Sequence, residues 1–169
     1  MQISPIDIVN QEFRQALLEL IETYSDVPPS IEESIESGVR GDMTAIIGLA
    51  DPQIAASLSI TTTSLASTKL AMQENVNARD WLGELSNQLA GRLKNKLIAY
   101  GRSPNLTTPT TVTGAWLLVE PYETQSHLLI ARFGEHVLAA QLILDLSESI
   151  QLEHVSDAMS SAEGSMELF

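Results

Sequence analysis

An aspartate, a glutamate, an asparagine and a glycine recur at helical spacing in this chain. They lie in DWLGELSNQLAGRLKNKL, Asp80 to Leu97. On a wheel of ~100° per residue, Leu82, Leu85, Leu89 and Leu93 gather on one side, and Asp80, Glu84, Asn87 and Gly91 gather within roughly 40° of the opposite direction. The leucines make a buried stripe. The others are neighbours along one ridge, because residues three and four apart share a helix face. A polar face is the ordinary outcome for an amphipathic helix, but this one is not built for stability alone. Asparagine is a weak helix former, and Gly91 costs ~1 kcal/mol against alanine. Gly83 carries a similar penalty. A glycine beside a carboxamide lets another molecule come close to the backbone. The amide of Asn87 does not titrate, so it is no general base, but it can hold a water by donating and accepting hydrogen bonds. Phosphoryl transfer asks for little more, since its transition state is loose and positioning with electrostatics dominates. Glu84 can dock against a lysine or arginine. Such a helix could complete an active site on a partner that supplies the metal and the phosphoryl group.

The elements around this helix follow from periodicity. Ile6 to Tyr24 has helical spacing, with Asp7 as a possible N-cap. Residues 25–37 (SDVPPSIEESIES) read as an acidic loop. Thr44 to Ala50 and Ala55 to Thr63 read as a hairpin about the Asp51-Pro52 turn. Ser64 to Glu74 reads as a short helix. Asn77 to Tyr100 is the longest helix, closed by Gly101. Val112 to Val119, His127 to Phe133 and His136 to Leu144 read as strands, the last two joined by a tight turn at Gly134-Glu135. Strands and helices without βαβ alternation predict an α+β fold with a mostly antiparallel sheet. Val112 to Val119 is a candidate exposed edge. Trp81 and Trp116 are expected in core or interface packing. His127 and His136 flank the hairpin and are expected as a surface or cross-strand pair rather than a metal site. From Ser149 onward the chain lacks a period and is expected to fray.

Composition narrows the class. The chain has 169 residues, no cysteine and a formal net charge of −13. Disulfides, thiolate metal sites and thiol nucleophiles are excluded. So acidic a chain is a poor binder of a phosphate backbone, so nucleic acid is not an expected partner. No apolar run reaches the ~18 residues of a membrane helix, and no basic segment followed by an apolar one opens the chain. A cytoplasmic location is therefore expected. One segment departs from the acidic trend: residues 76–102 hold Asp80 and Glu84 against Arg79, Arg92, Lys94, Lys96 and Arg102. Bases near a helix C-terminus favour its dipole. They could equally meet an acidic or phosphorylated partner.

The motif Asp80-x-x-x-Glu84-x-x-Asn87, followed by Pro109, resembles the signature of the CheC/CheX/FliY family of chemotaxis phosphatases. GELSNQLAGRLKNKL (83–97) and TPTTVTG (108–114) are most similar to CheX. The likeness is dense over 76–114 and looser over the 44–63 hairpin and the last strands. It implies a single CheX/CheC-like α+β domain over 1–148, a mostly antiparallel sheet packed against a long central helix and further helices, with 149–169 as an acidic tail. It implies hydrolysis of the aspartyl-phosphate of a CheY-like response-regulator receiver. Glu84 would contact the receiver's lysine and Asn87 would orient the attacking water. Asp80, Gly91, Arg92, Lys94 and Pro109 would lie on the docking surface. Magnesium would belong to the receiver, with no metal or other cofactor expected in this chain. Residues 6–24 hold no second Glu-x-x-Asn, so one site per chain is expected, in a homodimer formed through the sheets. The competing reading is a non-catalytic module that binds a receiver or another signalling protein on the same fold.

Overall fold

The computed structural model describes residues 3–34, 39–71, 75–119 and 126–155. Helix α1 (Pro5–Tyr24) starts at Ser4, whose hydroxyl accepts the Asp7 N–H at 3.2 Å and donates to the Asp7 carboxylate at 2.6 Å. The expected cap at Asp7 is thus corrected to Ser4. Pro5 begins the helix earlier because its fixed φ suits the first turn and its missing N–H needs no partner there. The remaining elements are β1 (Ser30–Glu33), β2 (Arg40–Ala50), β3 (Ile54–Thr62), α2 (Ser64–Lys69), α3 (Ala78–Ile98), β4 (Asn105–Leu106), β5 (Thr110–Leu118), β6 (Ser126–Phe133) and β7 (His136–Leu146). Part of the expected 64–74 helix lies outside the described residues.

The strands form one sheet in the order β1-β6-β7-β3-β2-β4, with β5 also paired to β2. Every pairing is antiparallel. In β2 the buried residues Met43, Ala45, Ile47 and Leu49 alternate with more exposed ones, the period expected of a half-buried strand. They join Phe13, Leu17, Leu20 and Ile21 of α1 and the leucines of α3 in a single main core. The architecture is the expected α+β domain: an antiparallel sheet with a long helix laid across it. The turn after Asp51 is held by its carboxylate, which accepts the N–H groups of Gln53 (2.7 Å) and Ile54 (2.8 Å). Phe133 pairs with His136 across the two-residue turn, and Gly134 there adopts a φ of +59°, the conformation such hairpins demand.

Three expectations need correction, and one, core or interface packing for Trp116, is narrowed. Residues 30–33 are not loop but the edge strand β1, paired with β6. Its acids have distant partners: Glu32 meets Arg132 at 3.1 Å and Glu33 meets His127 at 3.0 Å. Charged side chains also suit an edge that must not recruit further strands. His127 and His136 are not a cross-strand pair, because His127 lies opposite Leu142 and His136 opposite Phe133, at the two ends of the hairpin. Trp116 is not in the core. It is 76% exposed, with a φ of +67° and the Arg40 guanidinium 5.6 Å from its ring centroid. Finally, Ser149 does not begin a frayed segment: Ile150 and Leu152 are buried in the main core, and the Val155 N–H donates to the Ala99 carbonyl at 2.8 Å. Residues 156–169 lie outside the described residues.

The His127 contact has a consequence for stability. Burial pushes its imidazole below the ordinary 6.5, with Arg14 acting the same way and the Glu33 carboxylate opposing. The unfolded chain therefore takes up this proton more readily than the folded one. Its contribution is fully present above about pH 6.5 and is lost as the pH falls through that value toward the lower, folded-state one. His127→Gln should flatten this part of the acid limb, read as the change in denaturation midpoint between about pH 7.5 and about pH 5.5.

Candidate functional site

Helix α3 is nucleated by Asn77, whose Oδ1 accepts from the N–H groups of Arg79 (3.0 Å) and Asp80 (3.3 Å). Asp80 in the first turn complements the helix dipole. Leu82, Leu85, Leu89, Leu93 and Leu97 are all buried. Each contributes roughly 1.5–3 kcal/mol by leaving water, which fixes the rotation of the helix. The opposite ridge is thereby turned outward, and Asp80, Glu84 and Asn87 are exposed along it. Asn87 forms no hydrogen bond among the described residues, so its carboxamide is available to a partner.

The two glycines of the helix differ in their reasons. A Cβ at Gly83 would stand 3.3 Å from the Thr111 hydroxyl, where β5 crosses the helix. Gly83 thus answers to packing. A Cβ at Gly91 would meet nothing within 4 Å, so its cost to the helix is not repaid by packing among the described residues. Pro109 is half-buried and leads directly into β5. The stretches 83–97 and 108–114, apart in sequence, are therefore neighbours in space.

The bases of the helix point in different directions. Arg92 donates to the Thr23 hydroxyl of α1 at 3.0 Å, and Lys96 pairs with Glu19 at 2.7 Å. The hydrogen bond from Lys96 holds the Glu19 carboxyl below the usual glutamate range. Arg92 and Lys96 thus tie α3 to α1. Lys94 forms no ion pair among the described residues and is half-exposed, three residues beyond Gly91 on the same ridge.

Two side chains not expected at the site touch it. Gln88 donates from Nε2 to Glu84 Oε1 at 3.0 Å, and Gln88 Oε1 accepts from the Tyr24 hydroxyl at 2.7 Å. Tyr24 packs edge-on against Trp81, with ring centroids 5.2 Å apart. The Gln88–Glu84 spacing of four was readable in the sequence. The Tyr24 contact, 64 residues away, carried no local signal.

The ridge is convex. A cleft of about 570 Å³ between the end of α1, Lys69–Leu70 and the β6–β7 turn is lined by Tyr24 but by neither Glu84 nor Asn87. Small-molecule sites are concave and enclose most of their ligand, and an exposed helix ridge does not have that form. Among the described residues no three His, Asp or Glu side chains gather as a metal site, and no helix is long and apolar enough to cross a membrane.

An antiparallel sheet bearing a long helix, with β5 against its flank, is a CheC/CheX-like fold. The structure is similar to a CheC-like superfamily protein from Shewanella sp. PV-4, with 21% identity, a TM-score of 0.69, and coverage of 86% of this chain and 99% of that one. It is similar to the chemotaxis protein CheX from Vibrio vulnificus, with 22% identity, a TM-score of 0.69, and coverage of 82% and 99%. It also resembles a chain of the CheX–CheY–BeF3–Mg2+ complex from Borrelia burgdorferi, with 18% identity, a TM-score of 0.60, and coverage of 85% and 99%. No family model matches the sequence, and no curated protein does.

Proposed function

We propose that this chain is a phosphatase for the aspartyl-phosphate of a CheY-like receiver domain. The observation that carries the reading is the outward ridge of α3, where an exposed Glu84 and an unengaged Asn87 stand one turn apart on a rigid, leucine-seated helix. The fold shared with a CheX that forms a complex with CheY supports the same partner. Glu84 pairs with a lysine at the rim of the receiver's site, and Asn87 enters it. The Asn87 amide oxygen accepts a hydrogen bond from water and turns the water's lone pair toward phosphorus. The new P–O bond forms as the bond to the aspartyl oxygen breaks. The carboxylate leaves with the electron pair, inorganic phosphate is released, and the water's proton passes to solvent or phosphate. The receiver brings the phosphoryl group and its magnesium ion. Asp80, Gly91, Lys94 and the Pro109 turn border the contact, with Arg92 holding the helix from behind.

The same reading places the protein in the cytoplasm, where receivers are found, and pairs two copies through the exposed edge of β5, where Val112, Trp116 and Leu118 are exposed. The test is the decay of a purified phospho-receiver from the same organism, followed with and without this protein. Faster decay at catalytic amounts is expected. Measurable binding with unchanged decay would instead favour the adaptor.

A further inference from the structure

The Tyr24–Gln88–Glu84 chain has a fixed polarity. An ionised carboxylate only accepts, so the face of the Gln88 amide toward Glu84 must be its NH2. Its oxygen then faces Tyr24, whose hydroxyl must donate, as the 2.7 Å and 3.0 Å contacts require. Tyr24 cannot swing freely because its ring rests edge-on against Trp81. The chain thus runs from a half-buried aromatic pair at the α1–α3 interface to one oxygen of an otherwise solvent-exposed carboxylate. Only Oε1 is engaged among the described residues, and Oε2 is left for a cation.

We infer that Gln88, set by Tyr24, is a positioning residue that holds the Glu84 carboxylate in the conformation used for docking. The inference rests on the proposed receiver reading for what Glu84 meets. An exposed glutamate would otherwise have to be ordered at each encounter, and pre-ordering removes that cost from binding. Because the contact is made equally before and during hydrolysis, its loss raises KM and spares kcat.

The experiment compares wild type, Gln88→Met and Tyr24→Phe, each also in a Glu84→Ala background. Binding is titrated with a receiver domain carrying beryllofluoride and magnesium, and turnover is followed with the same receiver phosphorylated. Gln88→Met should weaken binding and raise KM about 3- to 10-fold, the range expected for one unordered side chain, with kcat nearly unchanged. Tyr24→Phe, which keeps the ring on Trp81, should move both in the same direction by less, and it serves as the decisive variant should Gln88→Met fold poorly. In the Glu84→Ala background neither change should cost anything further. Equal losses in both backgrounds, or unchanged binding, overturn the inference. The expected binding pattern without turnover supports it while removing the phosphatase reading. Failure of the wild type to bind any receiver overturns both.

Discussion

Asn87→Ala should abolish nearly all acceleration of phospho-receiver decay while leaving the protein folded and the receiver bound. By analogy with the loss of one oxyanion-hole donor, losing this positioning group should lower the rate by about 10²–10³. Two features argue for a loss of that size here. Among the described residues the amide has no other engagement, so removing it disturbs no contact there. It also sits one turn from Glu84, so docking and water placement belong to separate side chains. The variant should therefore lower kcat with little change in KM, opposite to the pattern expected for Gln88→Met. Its thermal midpoint should stay near the wild type, since exposed substitutions away from caps and networks usually fall within about 0.5 kcal/mol. Retained turnover in Asn87→Ala would falsify the water-positioning role.

The division between what the sequence shows and what it hides follows the range of the interactions. The ridge of α3 was legible because burial of Leu82, Leu85, Leu89 and Leu93 and exposure of Asp80, Glu84 and Asn87 both follow one 3.6-residue period. The β2–β3 hairpin was legible for the same local reason, with Asp51 as its turn residue. Strand β1 was not. Glu32 and Glu33 look like solvated loop until Arg132 and His127, about a hundred residues on, are brought beside them. The pairing of β5 with β2 likewise left Trp116 exposed, where an indole in a strand pattern suggests a core or an interface. Ile150 and Leu152 carry no period, yet burial on the main core holds the chain down beyond Ser149. On α3, the exposure of Glu84 and Asn87 was readable, but their setting was not. Arg92 donates to Thr23 of α1, and Tyr24 reaches Gln88 from the same helix.

Gly91 separates a demand of the fold from a demand of the partner. Gly91→Leu should stabilise the protein by about 0.5–0.8 kcal/mol, because leucine is a better helix former and a Cβ at this position meets nothing within 4 Å. The same change places a branched side chain on the ridge one turn beyond Asn87. If the receiver closes over that ridge, the leucine holds it off, and misplacement on the order of 1 Å can cost about 10²-fold in rate. A fall in kcat/KM of about 10- to 100-fold is expected, with Gly91→Ala lying between it and the wild type. The denaturation midpoint and the dephosphorylation rate, measured on one preparation, should thus move in opposite directions. Gly83→Ala provides the contrast: its Cβ would stand 3.3 Å from the Thr111 hydroxyl, so its gain in stability should be smaller than that at Gly91. A Gly91→Leu protein both more stable and fully active would remove Gly91 from the docking surface. Its presence in mid-helix would then have no account in either the fold or the partner.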